Sequence, residues 1–149
     1  MADNKKQTIL IVEDEQALLK IYAERFSEEG FLVLEAHNGQ EGLDLALKER
    51  PGIILLDILM PVMDGLTMMQ KLREDNSWDK NVPIIFLTNL SEHEEKITKS
   101  IDKNKPAYYL VKSDWTLNAI VEKAKKAILS AQEREEIKSN LLERIKGVE

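Results

Sequence analysis

The chain of 149 residues contains no cysteine. That excludes a disulfide framework, a zinc–thiolate site and a thiol nucleophile, and it suits a reducing, cytoplasmic setting. Long hydrophobic runs are also missing. The longest uninterrupted one, Ala107 to Val111, is far short of the ~20 residues that span a bilayer. No targeting segment is expected, because Met1 to Gln7 is polar and no apolar stretch follows it at signal-peptide length. Basic excess is absent as well. Lys and Arg total 21 against 27 Asp and Glu, a net charge of −6, which argues against a general nucleic-acid or anionic-membrane binder. Finally, no apolar run is followed by GxGxxG or GxxxxGK[ST], so a nucleotide-binding loop is disfavoured.

What remains is the composition of a folded domain, 43% hydrophobic and 32% charged. Five short apolar runs recur: Ile9–Val12, Phe31–Leu34, Ile53–Leu56, Ile84–Leu87 and Ala107–Val111. None alternates with polar residues, as expected of strands buried on both faces. Helical spacing fills the gaps. Ala17, Leu18, Ile21, Tyr22 and Phe26 form one stripe, stopped by Gly30. Asn38 is the expected N-cap of a second helix, which Pro51-Gly52 ends. Leu66, Met69 and Leu72 mark a third, and a weak polar fourth is expected from about Glu92 to Ile101. A fifth starts near Trp115, with Ser113 or Asp114 as its expected cap. Strict strand–helix alternation implies a parallel sheet with helices on both faces.

The tail reads differently. Apolar residues continue through Ala131, are interrupted by Gln132-Glu133-Arg134-Glu135-Glu136, and resume at Ile137, Leu141, Leu142 and Ile145. We therefore expect one domain over residues 1–131 and a helical extension or linker over 132–149. That extension is either a frayed charged end or a helix that packs on a partner copy.

In an open parallel sheet, ligands bind outside the carboxyl ends of the strands. The first run is followed by Glu13, Asp14 and Glu15, the third by Asp57, the fourth by Thr88 and the fifth by Lys112. Clustered carboxylates repel one another unless a hard cation such as Mg²⁺ joins them. A carboxylate can also act as a nucleophile and form an acyl phosphate. Phosphoryl transfer needs positioning and charge neutralisation above all.

These residues carry a resemblance. Leu56-Asp57-Ile58-Leu59-Met60-Pro61-Val62-Met63-Asp64-Gly65 is similar, almost residue for residue, to the phosphoacceptor loop of receiver domains in two-component response regulators. Glu13-Asp14, Thr88 and Tyr109-Leu110-Val111-Lys112 follow in the matching order, and the likeness covers about residues 7 to 131. It implies the flavodoxin-like doubly wound (βα)5 three-layer sandwich, a parallel sheet in the order 2-1-3-4-5, here with an extended C-terminal helix. It further implies that Asp57 accepts a phosphoryl group from a sensor histidine kinase or phosphotransfer protein. Asp14, Asp57 and the backbone carbonyl of Leu59 would hold Mg²⁺, and Glu13 would act through metal-bound water. Lys112 and Thr88 would contact the phosphoryl group, and Tyr109 would swing inward as Thr88 moves. The implied output is protein contact, with no membrane and no nucleic acid engaged by this chain. A homodimer would use the face of fourth helix, fifth strand and fifth helix, or the C-terminal helix.

Plainer roles stand beside these. Glu13 and Asp14 suit the start of the next helix dipole, Tyr109 suits a half-buried strand end, and Asp64-Gly65 suits a turn and helix start. His37 and His93 show no metal-ligand spacing. Three positions depart from the family pattern: Ser113 stands where proline usually follows the lysine, Asn89 where a small residue is usual, and Lys105-Pro106-Ala107 where Gly-Ala-Asp is familiar. Two alternatives remain open on sequence, a dimerising receiver fragment of a longer regulator and a Mg²⁺-dependent phosphohydrolase.

Overall fold

A computed structural model describes residues 7–88, 107–111 and 115–147. Its sheet has five parallel strands: β1 (Thr8–Val12), β2 (Leu32–Ala36), β3 (Ile53–Asp57), β4 (Ile84–Thr88) and β5 (Ala107–Val111), in the order β2-β1-β3-β4-β5. The order reverses direction at β1, so the carboxyl ends of β1 and β3 meet at the topological switch point. Three helices alternate with the strands: α1 (Gln16–Glu28), α2 (Gly39–Glu49) and α3 (Gly65–Glu74). A fourth, the C-terminal helix, runs without a break from Leu117 to Gly147. The doubly wound sandwich expected from sequence is the fold observed. The segment expected to form a helix between β4 and β5 lies outside the described residues.

The central strands are apolar throughout because both of their faces are covered. Odd-numbered Ile9, Ile11, Ile53, Leu55, Ile85 and Leu87 pack with Leu19, Tyr22 and Phe26 of α1 and with Ile120, Val121, Ala124 and Ala127 of the C-terminal helix. Even-numbered Leu10, Val12, Ile54, Leu56, Ile84 and Phe86 pack with Ala46, Met68, Met69 and Leu72 of α2 and α3, and with Trp78. This is the period-2 division that a strand imposes. Edge strand β2 is half-exposed by comparison, with only Ala36 fully covered.

Local chemistry sets the element boundaries. The Asn38 side chain accepts from the Glu41 N–H at 2.9 Å, capping α2 as expected. Gly30, at φ +96°, lies in the left-handed region that stops α1. The cap of the C-terminal helix differs from expectation. The Thr116 hydroxyl accepts from the Ala119 N–H at 3.1 Å, so the cap lies three residues beyond Ser113 and two beyond Asp114.

The C-terminal helix is tied to the domain near the amino ends of the strands. Lys125 Nζ donates to Glu29 Oε1 at 2.6 Å, just past the end of α1. Beyond it, Asn81 Nδ2 donates to the Ala131 carbonyl at 3.0 Å and to Glu135 Oε1 at 3.1 Å. Arg134 Nε donates back to Asn81 Oδ1 at 3.0 Å. Past this clamp, residues 136–147 stand exposed.

Candidate functional site

The site forms where β1 and β3 end side by side. Val12 and Leu56 are in register, so the residues that follow each are neighbours. Glu13 is only 2% exposed and Asp57 only 8%; they are the two buried charged residues among those described. Asp14 lies in the solvent above them. Carboxylate oxygens of Glu13, Asp14 and Asp57 all fall within 4.8 Å of one another. Glu15, the third acid of the run after β1, stays outside the cluster at the start of α1.

Backbone bonds hold this arrangement. The Glu13 N–H donates to the Ala36 carbonyl at the end of β2, at 3.0 Å. Glu13 Oε2 accepts from the Glu15 N–H at 3.1 Å, which directs one carboxylate oxygen at the first turn of α1. On the other side, the Gly65 N–H donates to the Ile58 carbonyl at 2.8 Å, folding the loop after β3 back on itself. Asp64 caps α3 by accepting from the Thr67 N–H at 2.7 Å. A side chain at Gly65 would overlap the Asp57 carbonyl. One at Gly39 would overlap Met63 of the same loop, whose carbonyl accepts from the Gly39 N–H at 3.1 Å. Sequence reasoning assigns Gly65 to a turn; its close approach to Asp57 shows only in three dimensions. Val62, at the tip of the loop, takes φ +70°, a conformation that a β-branched residue adopts only under strain.

The other expected site residues come from neighbouring strands. Leu87 is in register with Asp57, and Thr88 is the next residue and the last of β4. Tyr109 occupies the centre of β5, in register with Phe86. Leu59 lies two residues past Asp57, with an exposed side chain. Lys112, Ser113, Asn89 and His93 lie outside the described residues. His37 bonds locally to Glu41, Nδ1 to Oε1, at 3.0 Å. That neighbour holds the Glu41 carboxyl below the ordinary range, and the pair takes no part in the acidic cluster.

Chemically, three oxygen donors of one charge converge at the mouth of a dry sheet. Like charges this close attract a cation between them, and hard oxygen donors match Mg²⁺ rather than a soft metal. The residue-level arrangement thus fits a divalent cation beside a buried carboxylate.

The family model described as the response regulator receiver domain matches residues 9–125. The chain belongs to this family. Among its relatives, the transcriptional regulatory protein SrrA of Staphylococcus aureus is 45% identical over 92 residues, 60% of this chain and 35% of that protein. The protein named "Probable transcriptional regulator ycf27" of Guillardia theta is 41% identical over 93 residues, 62% of this chain and 35% of that protein. This receiver domain thus corresponds to about a third of the length of the curated relatives it matches. Among solved structures, a CheY-like receiver domain protein from Methanospirillum hungatei superposes with a TM-score of 0.77 at 25% identity, covering 87% of this chain and 99% of that one. The chemotaxis response regulator CheY4 of Vibrio cholerae gives 0.72 at 25% identity, covering 83% and 99%. Receiver domains are signalling modules of two-component systems, and this one is built on their fold. Among the described residues, no helix is long and apolar enough to cross a membrane.

Proposed function

We propose that this receiver domain is a phosphorylation-dependent switch in a cytoplasmic two-component phosphorelay, taking its phosphoryl group on Asp57 from a sensor histidine kinase or phosphotransfer protein. The observation that carries this reading is the burial of Asp57 at the end of β3, within 4.8 Å of two further carboxylates at the switch point of the sheet. A carboxylate oxygen of Asp57 attacks phosphorus, the bond from phosphorus to the donor breaks, and the donor leaves with the electron pair. The product is an acyl phosphate on Asp57. Hydrolysis by water returns the free carboxylate, so the domain turns over only its own phosphoryl group.

Glu13, Asp14, Asp57 and the backbone carbonyl of Leu59 are the groups that would hold Mg²⁺. When bound, the ion supplies charge neutralisation for the carboxylates and the incoming phosphoryl oxygens. Thr88, one residue past the strand partner of Asp57, is assigned as a hydrogen-bond donor to the phosphoryl group, and Lys112, directly after β5, as its cationic partner. Tyr109 is assigned as the residue that reports the movement of Thr88 to the outer face of β4 and β5. A new double charge at the strand edge would then bias that face between two arrangements, and the output is contact with another protein. The length of the relatives, about three times the matched region, supports the same module serving within a longer regulator.

The test is incubation with Mg²⁺ and acetyl phosphate followed by intact-mass measurement. Wild type gains one phosphoryl group, and Asp57→Asn gains none. An adduct that forms equally on Asp57→Asn, or none on wild type, removes the assignment.

A further inference from the structure

We propose that residues 132–147 of the C-terminal helix pair antiparallel with the same segment of a second copy of this chain. The inference is independent of phosphoryl chemistry and rests on what the helix carries beyond the Asn81 clamp. Ile137, Leu141, Leu142 and Ile145 are 60%, 51%, 51% and 65% exposed. Leu142 and Ile145 continue the buried side of the helix past the edge of the domain, and Ile137 and Leu141 widen it on one flank. Leu142 stands 18 residues after Ala124 and Ile145 stands 18 after Ala127, five whole turns at ~3.6 residues per turn. Ala124 and Ala127 lie in the core, so Leu142 and Ile145 present an equivalent face with no domain beneath it. Isolated exposed apolar residues are ordinary, but four on one side of a helix with charged borders form the pattern of a helix–helix seam, here with Arg134 and Lys138 among them.

The charges on the borders select the occupant and its direction. At 100° per residue, Glu133 and Arg144 fall on one border of the stripe, 11 residues and about 20° apart. Glu135 and Lys146 fall on the other border with the same spacing. In an antiparallel pair each border meets the same border of the partner copy. Glu133 then faces Arg144 and Glu135 faces Lys146, each twice by symmetry. In a parallel pair each border meets the opposite one, and glutamate faces glutamate while arginine faces lysine. Like charges across a seam disfavour that direction. The antiparallel direction also opposes the two helix dipoles and sets the two domains at opposite ends of the seam. Glu135 is held in place by Asn81, and Arg134 by the same residue, which fixes the helix where the seam begins.

Sedimentation equilibrium of the full chain, up to about 0.5 mM and without any phosphoryl donor, should show a reversible monomer–dimer equilibrium. Arg144→Glu with Lys146→Glu should weaken it by about tenfold or more, because four attractive pairs become repulsive. A wild type that stays monomeric, or forms trimers, overturns the proposal, as does a dimer indifferent to these substitutions. Direction is read separately, and cleanly, because the chain has no cysteine. A mixture of Arg134→Cys and Ile145→Cys should form the mixed disulfide in preference to either symmetric one. Preferred symmetric disulfides would mean a parallel seam and refute the assignment. None of these outcomes depends on whether Asp57 is phosphorylated, so failure here and failure of the proposed function are distinguishable.

Discussion

The two edges of the sheet do opposite things with polar groups. At the carboxyl edge, Glu13, Asp14 and Asp57 bring like charges together over a dry core. At the amino edge, Asn81, Arg134, Glu135, Glu29 and Lys125 pair donors with acceptors and opposite charges. The first edge concentrates charge of one sign where a cation can bind; the second pairs opposite charges within the chain. A candidate binding site is recognisable by that excess of one charge, and an anchor by its internal pairing.

The largest effect expected on this contrast comes from Gly65→Ala. Its methyl group meets the Asp57 carbonyl and Ile58 Cα, backbone atoms that cannot move without displacing the site loop. Overpacking of this kind costs ~3 kcal/mol, read as a fall in the denaturation midpoint together with slower uptake of phosphoryl group. A variant of wild-type stability would mean that the loop is not pinned to Asp57. Next is Asn81→Ala at the other edge. It removes three hydrogen bonds across the clamp, a net loss of about 1–2 kcal/mol. Hydrogen exchange should speed up in residues 131–147 while the phosphorylation rate stays the same, and a changed rate would show that the edges are not independent.

Asp14→Asn should act in the reverse sense. It deletes one of three like charges, so in metal-free buffer the variant gains about 1 kcal/mol, a rise of roughly 3 °C in Tm. Added Mg²⁺ should then stabilise wild type more than the variant. A lower Tm without metal would show that the acids do not repel in the folded state. Glu29→Gln has the smallest effect. The Lys125 hydrogen bond, aided by Arg25, holds the Glu29 carboxyl below the ordinary range. A lowered carboxyl pKa adds stability in full above its unfolded value and loses it as pH falls through the folded one. The gap between wild type and Glu29→Gln should therefore be present at neutral pH, close in acid, and shrink with salt because the pair is exposed. A gap that widens in acid would reverse the assignment.

The carboxyl edge was largely legible in the sequence. A buried strand announces itself as a short unbroken apolar run, and an acid placed directly after one has to sit at the edge of the sheet. That reasoning brings Glu13, Asp14 and Asp57 together before any coordinates. It separates Glu15 less well, because one further residue turns the chain into α1. The amino edge was not legible. Asn81 reaches residues 50 and more positions away, and no local pattern marks an asparagine for that task. The helix cap shows the same limit on a smaller scale. Ser113, Asp114 and Thr116 all have capping side chains, and nothing local in the sequence singles out Thr116, whose hydroxyl accepts from the Ala119 N–H. The tail left two options on sequence, because glutamate and arginine are as much at home in a helix as in a frayed end. The continuous helix follows from having no glycine or proline between Leu117 and Lys146.

That uninterrupted helix makes the molecule a lever. Its short arm lies in the core against the strands, its fulcrum is Asn81, and its long arm extends from about residue 132 to Gly147, ~24 Å at ~1.5 Å per residue. A tilt of about 5° at the fulcrum, small enough for side-chain repacking to absorb, carries the tip through ~2 Å. Displacements too slight to notice in the sheet would arrive at the far end as a change in alignment, with no joint between them to dissipate it.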